Sequence, residues 1–281
     1  MFLFADSGST KTEWILTSLK GEIIFNKRTI GLNPYNVNEK IIRQTLLELI
    51  PKDINLVEIK NVYFYGAGCG NSERSKMLLL ALEDCFPVAI VKVYTDILGA
   101  ARSAWQRQRG IAAILGTGAN ACAYNGESVY RTVISLGYLL GDEGSGAYLG
   151  KKLLKTYFNS KLEYDLSKAL RSEYDMEYNN IMNAIYRDKA ASAYLASFVP
   201  FIHKHKNYAS MQWLLKQSFD NFFNRIVKNI PEHSDLPVAF VGSVAYNFQE
   251  EILASAKKNR IKVEKFIGDP LKGIVDYHLK L

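Results

Sequence analysis

A turn near the N-terminus of this 281-residue sequence has the residue types of a phosphate-binding site. It follows an apolar strand predicted over Phe2–Ala5 and combines an acid, a glycine and several hydroxyls. Glycine lets backbone N–H groups approach an oxygen-rich ligand, hydroxyls donate to phosphate, and an aspartate can hold Mg²⁺ directly or through water. An ordinary hairpin turn is the alternative. The candidate phosphate and metal residues are Asp6, Gly8, Ser9, Thr10, Lys11 and Thr12.

A second turn of this kind, Gly116-Thr117-Gly118, follows the apolar stretch Ile111–Leu115. Its spacing formally fits the dinucleotide-binding pattern, because Ala121 stands where the third small residue belongs. That pattern requires a helix after the glycines, whereas this sequence alternates and then turns at Asn125-Gly126. The sequence has no G-x-x-x-x-G-K-[ST] motif either. Hairpin turns would therefore hold any nucleotide.

A third glycine turn, Gly242-Ser243, joins a strand predicted over Leu236–Val241 to a helix predicted over Val244–Lys257. An open backbone at such a point can pack against an adenine and its ribose, and the alternative is a tight strand–helix connection. Two similar halves would need such turns at strand ends to grip both ends of ATP.

The elements around these turns follow one plan in both halves of the sequence. In the first half, predicted strands and helices alternate and deliver Asp96 at the end of a strand. The plan starts again at Gly110, with further strands predicted over Asn120–Tyr124 and Ser128–Leu136. From Ser145 to Pro231 the apolar residues recur at helical spacing. The pattern predicts an α/β protein with mostly parallel sheets.

Composition excludes several classes of protein. Hydrophobic residues make up 48% and charged residues 22%, which is typical of a folded globular chain. The apolar runs are far shorter than the roughly 20 residues that span a bilayer. The net charge of +7 is scattered, which argues against a nucleic-acid partner and leaves anionic small molecules open. Three cysteines without C-x-x-C spacing and an N-terminus without a leader pattern predict a cytoplasmic protein with reduced thiols.

Together these motifs resemble the BadF/BadG/BcrA/BcrD ATPase family, and within it the N-acetylglucosamine kinases. The resemblance runs from residue 3 to His278, and its most specific part is the block Gly137–Ser145, GYLLGDEGS. It implies an α/β fold of the actin/hexokinase/Hsp70 type, with two ribonuclease-H-like domains around an ATP cleft. The expected domains are 1–108 and 109–281, with a helical insertion at about 145–231 and a closing helix, 270–281, that can pack on the first domain.

The resemblance also implies roles for single residues. Asp96 matches the catalytic aspartate of the family, and its alternative role is a helix N-cap. The turns are expected to bind Mg·ATP, with Asp6 at the metal, Thr117 at the phosphates, and Gly242 and Ser243 at the adenosine.

Sugar-binding residues are implied as well. Asp and Asn side chains can bond two vicinal hydroxyls at once. Leu136 stands where the sugar kinase has a tryptophan, and Asn36 competes with Asn33 for one role, so the identity of the sugar stays open. The candidates are Asn33, Asn36, Asn120, Ser135, Leu136, Gly137 and Asp142.

These expectations define a first hypothesis, an ATP-dependent kinase that phosphorylates a hydroxyl of N-acetylglucosamine or a related amino sugar. A second is an ATPase that activates an iron–sulfur reductase or dehydratase, for which Cys69, Cys85 and Cys122 lack the expected pairing. A third is a sensor that binds sugar or nucleotide without catalysis. A homodimer is compatible with the sequence.

Overall fold

A computed structural model describes residues 1–188 and 190–279. The chain forms two compact units. Unit 1 comprises Met1–Gln108, Gly126–Ser128 and the described residues from Asp269 onward. Unit 2 comprises Arg109–Asn125 and the described residues of Val129–Gly268.

Unit 1 contains a five-stranded mixed sheet with the strand order β3-β2-β1-β4-β5. β1 pairs with β2 in antiparallel and with β4 in parallel orientation, and β5 is parallel to β4. Leu3, Phe4 and Ala5 are fully buried in this central strand, which explains why it reads as a continuous apolar run. The strands are β1 (Phe2–Ser7), β2 (Lys11–Thr17), β3 (Ile23–Ile30), β4 (Asn61–Gly66) and β5 (Ile90–Thr95).

Unit 2 repeats this architecture. Its sheet has the order β10-β9-β6-β7-β8, with β6 in the central position that β1 takes in unit 1. β6 is antiparallel to β7 and parallel to β9, as β1 is to β2 and β4. The predicted α/β fold with two ribonuclease-H-like sheets is therefore confirmed. The strands are β6 (Gly110–Leu115), β7 (Ala119–Tyr124), β8 (Val129–Thr132), β9 (Val238–Val241) and β10 (Val263–Ile267).

The helices of unit 1 begin at side-chain caps that the sequence supplies. Asn38, Asn71 and Thr95 each accept a hydrogen bond from a backbone N–H of the first turn that they cap. The C-terminal helix packs on α3, where Gln106 Nε2 donates to the Gly273 carbonyl at 2.9 Å. These helices are α1 (Glu39–Leu49), α2 (Ser72–Cys85), α3 (Asp96–Trp105) and the C-terminal α13 (Leu271–Leu279).

Most helices of unit 2 lie between β8 and β9. Their apolar faces form one core with the sheet, in which Phe219, Phe222 and Phe223 of α10 are fully buried. In the described chain no helix has both the length and the apolar character to cross a membrane. The helices are α4 (Gly137–Leu140), α5 (Gly146–Phe158), α6 (Tyr164–Glu173), α7 (Tyr178–Tyr186), α8 (Ala191–Ala196), α9 (Val199–Lys204), α10 (Ala209–Arg225), α11 (Ser243–Asn247) and α12 (Gln249–Asn259).

Two predicted elements differ from the structure. The strand expected over Ser128–Leu136 ends at Thr132, because β8 is an edge strand and the chain then leaves the sheet. The helix expected over Val244–Lys257 is two helices that meet at Phe248, whose buried ring anchors the break in the core.

Candidate functional site

The N-terminal turn is tightly closed and lies between β1 and β2. The backbone N–H of Gly8 donates to the Lys11 carbonyl at 2.9 Å, which turns the chain within residues 8–11. Asp6 lies inside β1, one residue before its end, and not in the turn as the sequence predicts. Thr10 is exposed at the tip. The Lys11 ammonium lies 3.0 Å from Glu13 Oε1, so an ion pair already engages it.

One of the predicted phosphate ligands is instead part of the scaffold. The Thr12 hydroxyl is fully buried, donates to the Ile30 carbonyl at 2.8 Å and lies 2.8 Å from Ser7 Oγ. Both hydroxyls accept a hydrogen bond from the backbone N–H of Leu32. Because Thr12 ties the turn to the segment after β3, its predicted contact with phosphate is wrong.

The segment after β3 carries Asn33 to the same turn. Asn33 Nδ2 donates to Ser9 Oγ at 2.9 Å, and Asn33 Oδ1 accepts from the backbone N–H of Tyr35 at 3.0 Å. Asn36 is exposed, and its backbone N–H closes a turn on the Asn33 carbonyl. The structure therefore links Asn33 directly to the phosphate-type turn and leaves the Asn36 side chain at the surface.

The pKa of the Asp6 carboxyl lies well above its ordinary value. Burial raises its pKa to about 7, and the negative charges of Asp96 and Asp269 act in the same direction. Lys11 opposes the shift only weakly. A carboxyl held near other acids in a poorly solvated position is one that a bound cation would stabilise in its charged form.

Asp96 is the first residue of α3, at the end of β5. Thr95 is the N-cap of this helix, and its side chain accepts from the Leu98 N–H, so the alternative cap role falls to Thr95. Asp96 Oδ1 accepts from the Ile97 N–H at 2.8 Å. Burial raises the pKa of the Asp96 carboxyl, and the backbone hydrogen bonds oppose that shift. In the described residues no lysine or arginine forms an ion pair with Asp96.

The acidic residues of unit 1 suit a magnesium ion that is also coordinated by substrate phosphates. Mg²⁺ prefers oxygen ligands and is usually held by one or two carboxylates together with substrate phosphates and water. Asp6 supplies such an oxygen from a carboxyl whose neighbouring charges are mostly negative. Within residues 1–188 and 190–279, no group of three or more His, Cys, Asp or Glu side chains could hold a metal ion. The donor set therefore fits a metal that arrives with its nucleotide.

In unit 2, the glycine turn after β6 packs on the start of α5. The backbone N–H of Gly116 donates to the Gly118 carbonyl at 3.0 Å and closes the turn. Gly146 and Ala147, in the first turn of α5, donate their backbone N–H groups to the carbonyls of Gly116 and Thr117. These contacts fix the predicted phosphate turn rigidly.

The third glycine turn lies directly beside the second. Gly242 has φ +111°, a conformation that L side chains rarely adopt, and a Cβ atom there would lie 2.6 Å from the Leu115 carbonyl oxygen. Ser243 follows as the exposed first residue of α11. The structure therefore brings together two turns that are more than 100 residues apart in the sequence.

A cavity of about 160 Å³ in unit 2 is lined in part by Ala119, the residue after the 116–118 turn. Roughly 150 Å³ is enough for one six-membered ring. Four residues predicted to bind a sugar line it, namely Asn120, Ser135, Leu136 and Asp142. Gly137 follows Leu136 as the first residue of α4.

Asp142 connects this cavity to the phosphate turn. Its carboxylate accepts a hydrogen bond from the backbone N–H of Ala119, the residue after Gly118. Burial raises the pKa of Asp142 to about 6, and the charge of Glu143 adds to the shift. Asp142 also has φ +56°, which is uncommon for a residue other than glycine. Such a strained acidic residue is typical of a functional site.

Sequence reasoning missed three charged residues. Glu143 and Arg225 line the cavity and form an ion pair, with Nη1 and Oε1 3.2 Å apart. Glu143 follows Asp142 in the quoted block, so that block contained a signal. Arg225 ends α10, far away in sequence, and only the fold reveals it. Asp269, whose negative charge raises the pKa of Asp6, likewise has no signal in the local sequence.

The free cysteines do not form a ligand pair. Cys69 and Cys122 are buried and belong to different units, and Cys85 is half-buried near the end of α2. A cluster that bridges two subunits needs cysteines at a surface. The observed burial of Cys69 and Cys122 therefore disfavours the iron–sulfur hypothesis.

Comparison with known proteins identifies close structural relatives. No family model matches the chain. A solved structure from Porphyromonas gingivalis, provisionally described as an N-acetylglucosamine kinase, is 35% identical, with a TM-score of 0.93 over 100% of this chain and 99% of that one. A protein from Chromobacterium violaceum with the same provisional description is 19% identical, with a TM-score of 0.73 over 98% of both chains, and shares the fold.

A sequence relative points to the same group. The N-acetylmuramic acid/N-acetylglucosamine kinase of Clostridium acetobutylicum is 23% identical over 214 residues, which cover 70% of this chain and 68% of that enzyme. An identity of 35% over nearly the whole length of both chains shows that the Porphyromonas protein and this chain belong to one family. With its paired sheets of the actin/hexokinase/Hsp70 type, the chain belongs to the N-acetylglucosamine kinase-like members of the BadF/BadG/BcrA/BcrD ATPase family.

Proposed function

We propose that this protein is an ATP-dependent sugar kinase that transfers the γ-phosphoryl group to a hydroxyl of N-acetylglucosamine or a related amino sugar. The observation that carries the proposal is the cavity of unit 2, because four candidate sugar ligands line it and one of them, Asp142, accepts from Ala119 next to the phosphate-type turn. The relatives supply the sugar class, since their descriptions name N-acetylglucosamine and N-acetylmuramic acid.

Asp96 acts as the general base in this proposal. Its carboxylate takes the proton of the acceptor hydroxyl while that oxygen bonds to the γ-phosphorus and ADP leaves. Burial favours this role, because a raised pKa increases the affinity of the carboxylate for a proton. The N–H of Ile97 holds one carboxylate oxygen in place, which leaves the other oxygen to face the acceptor.

Asp6 holds the magnesium ion in this proposal, directly or through water. When bound, Mg²⁺ offsets the charge that develops on the phosphate oxygens during transfer. The turns of residues 8–11 and 116–118 provide backbone N–H groups and the hydroxyls of Ser9, Thr10 and Thr117 for the phosphates. Gly242 and Ser243 provide an open backbone for the adenosine.

Asp142 and Asn120 select the sugar. The Asp142 carboxylate can accept hydrogen bonds from two vicinal hydroxyls, and its bond from Ala119 fixes its direction. Leu136 is 58% exposed and offers an apolar contact where the resemblance would place an aromatic ring. An apolar wall with a few fixed polar groups is the usual composition of a small-molecule site.

A panel of acceptors tests the proposed function. The purified protein is incubated with Mg·ATP and, in separate reactions, N-acetylglucosamine, N-acetylmuramic acid, glucosamine or glucose, and ADP release is measured. We expect release to depend on one of the N-acetylated sugars and to match the phosphosugar formed. ADP release that is the same without sugar would favour an ATPase, and binding without release would favour a sensor.

A further inference from the structure

A buried polar cluster in unit 1 contacts α3, the helix that the candidate base begins, but lies outside the candidate site. Its centre is Tyr65 of β4, a fully buried side chain. Its other members are Arg102 of α3 and His278 of α13. None of these residues is needed to bind sugar, nucleotide or metal in the proposed function.

Tyr65 contacts α3 at two successive turns. A Cβ atom at Gly99 would lie 2.9 Å from the Tyr65 ring, so the backbone of α3 rests directly on that ring. One turn later, Arg102 Nη1 donates to the Tyr65 hydroxyl at 2.7 Å. Asp96 begins the same helix, one turn before Gly99. The ring and the hydroxyl together fix how far α3 stands from the sheet.

His278 completes the hydrogen bonding of Tyr65. Its Nε2 lies 2.7 Å from the Tyr65 hydroxyl oxygen. Because Arg102 can only donate, the tyrosine oxygen accepts from Arg102, and His278 Nε2 lies within reach of the tyrosine's own proton. Burial lowers the pKa of His278 to about 3, and the positive charges of Arg102, Lys92 and Arg107 add to this shift. His278 therefore stays neutral, and the tautomer with its proton on Nδ1 offers Nε2 as an acceptor for the tyrosine.

The remaining contacts of the cluster hold α13 against both β4 and α3. The His278 ring stacks on Tyr63 with centroids 3.8 Å apart. The Arg102 guanidinium lies 4.6 Å from the centroid of the Tyr277 ring. α3 thus packs against both β4 and the C-terminal helix.

We propose that Tyr65 is a positioning residue for Asp96, and that His278 of the C-terminal helix fixes the tyrosine for this role. The inference rests on the proposed function, because it takes Asp96 as the base. A shift of about 1 Å in a reacting group can lower a rate by roughly 100-fold. The C-terminal helix is then needed for turnover although it supplies no ligand.

The test compares two variants that each remove one buried hydroxyl. Tyr65→Phe keeps the ring on Gly99 and removes the bonds to Arg102 and His278. The control, Ser255→Ala, removes a buried hydroxyl that lies 2.6 Å from Asp220 Oδ1 in unit 2. We expect Tyr65→Phe to lower kcat by about 5-fold to 100-fold, with KM for ATP and sugar within about twofold of wild type. Ser255→Ala should leave kcat within about twofold.

A second pair of variants tests the role of His278. His278→Gln retains an acceptor oxygen for the Tyr65 proton, whereas His278→Leu does not. We expect the glutamine variant to keep most of the wild-type kcat and the leucine variant to fall to the level of Tyr65→Phe. Equal kcat values in both variants, or a folded Tyr65→Phe protein with unchanged kcat, would overturn the inference.

Hydrogen exchange gives a readout that does not depend on activity. We expect the backbone amides of Ile97, Leu98 and Gly99 to exchange at least about tenfold faster in Tyr65→Phe than in wild type or Ser255→Ala. Unchanged exchange would contradict the positioning role. If the wild-type protein phosphorylates no sugar, the proposed function fails, and this exchange measurement still decides whether Tyr65 fixes α3.

Discussion

The carboxylates of Asp6 in β1 and Asp96 at the start of α3 lie close enough for the charge of Asp96 to raise the pKa of Asp6. They come from strands that are not neighbours, because β4 separates β1 from β5 in the sheet. Their proximity is unfavourable in the protein alone and becomes favourable when a cation binds. In the proposed function the two acids have separate tasks, one at the metal and one at the acceptor proton.

The raised pKa of Asp6 predicts how stability depends on pH in the metal-free protein. Between about pH 4, the ordinary pKa of an aspartate, and pH 7, folded Asp6 holds a proton that the unfolded chain has lost. The contribution of Asp6 is therefore fully present below about pH 4 and is lost as the pH rises through 7. Asp6→Asn removes this dependence, so the variant should gain stability relative to wild type as the pH rises.

Urea unfolding of both proteins at several pH values, with EDTA present, measures this difference. Asp84→Asn, which changes an exposed carboxylate of α2, serves as the control. A difference in unfolding free energy between wild type and Asp6→Asn that stays constant from pH 4 to pH 8 would refute the electrostatic account of Asp6.

Gly242→Ala should disrupt the contact between the two turns of unit 2. The new methyl group would meet the Leu115 carbonyl oxygen, and the positive φ adds strain of about 1–3 kcal/mol. Gly116→Ala is the matched change, since a Cβ atom there has open space around it. Thermal unfolding should show a lower Tm for Gly242→Ala and little change for Gly116→Ala. Equal Tm values would mean that the turns do not support each other.

Asp142→Asn should weaken sugar binding selectively. The amide keeps an oxygen for the Ala119 N–H but loses the charge, and a hydrogen bond to a charged group contributes about 1.5–3 kcal/mol. We expect KM for the sugar to rise by at least tenfold, while the Kd for nucleotide measured without sugar stays the same. Asp165→Asn on α6 controls for a general loss of charge. A change in the nucleotide Kd alone would contradict this prediction, because it would indicate that Asp142 acts on the nucleotide and not on the sugar.

The sequence was sufficient for the repeated plan of the fold, because the strands are short, apolar and bounded by glycine turns. Phe2–Ala5 and Ile111–Leu115 were both predicted as apolar strands, and both are strands at the centre of their sheets. The end of β8 could not be predicted, since Val133 and Ile134 have strand-forming side chains but line the cavity instead. Whether an apolar residue continues a strand depends on what the neighbouring strand offers, and that information is not local.

The candidate site, like the fold, was predictable from the sequence only in part. Residue types at a strand end singled out Asp6, whereas Asp96, Asn120 and Asp142 were implied by the family resemblance. Thr12 was misassigned, since its hydroxyl is indistinguishable in sequence from a ligand and is used by Ser7, Ile30 and Leu32 in the fold. Arg225 and Tyr65 emerged only from contacts between distant elements.

Single-turnover transfer of labelled γ-phosphate from ATP to the sugar, in wild type and Asp96→Asn, tests the central claim most directly. Loss of the base should slow the transfer step by about 10²–10⁴-fold, because the amide cannot take the acceptor proton. Nucleotide binding should stay within about twofold of wild type, since Asp96 is not assigned to the nucleotide. Transfer at the wild-type rate in Asp96→Asn would contradict the account.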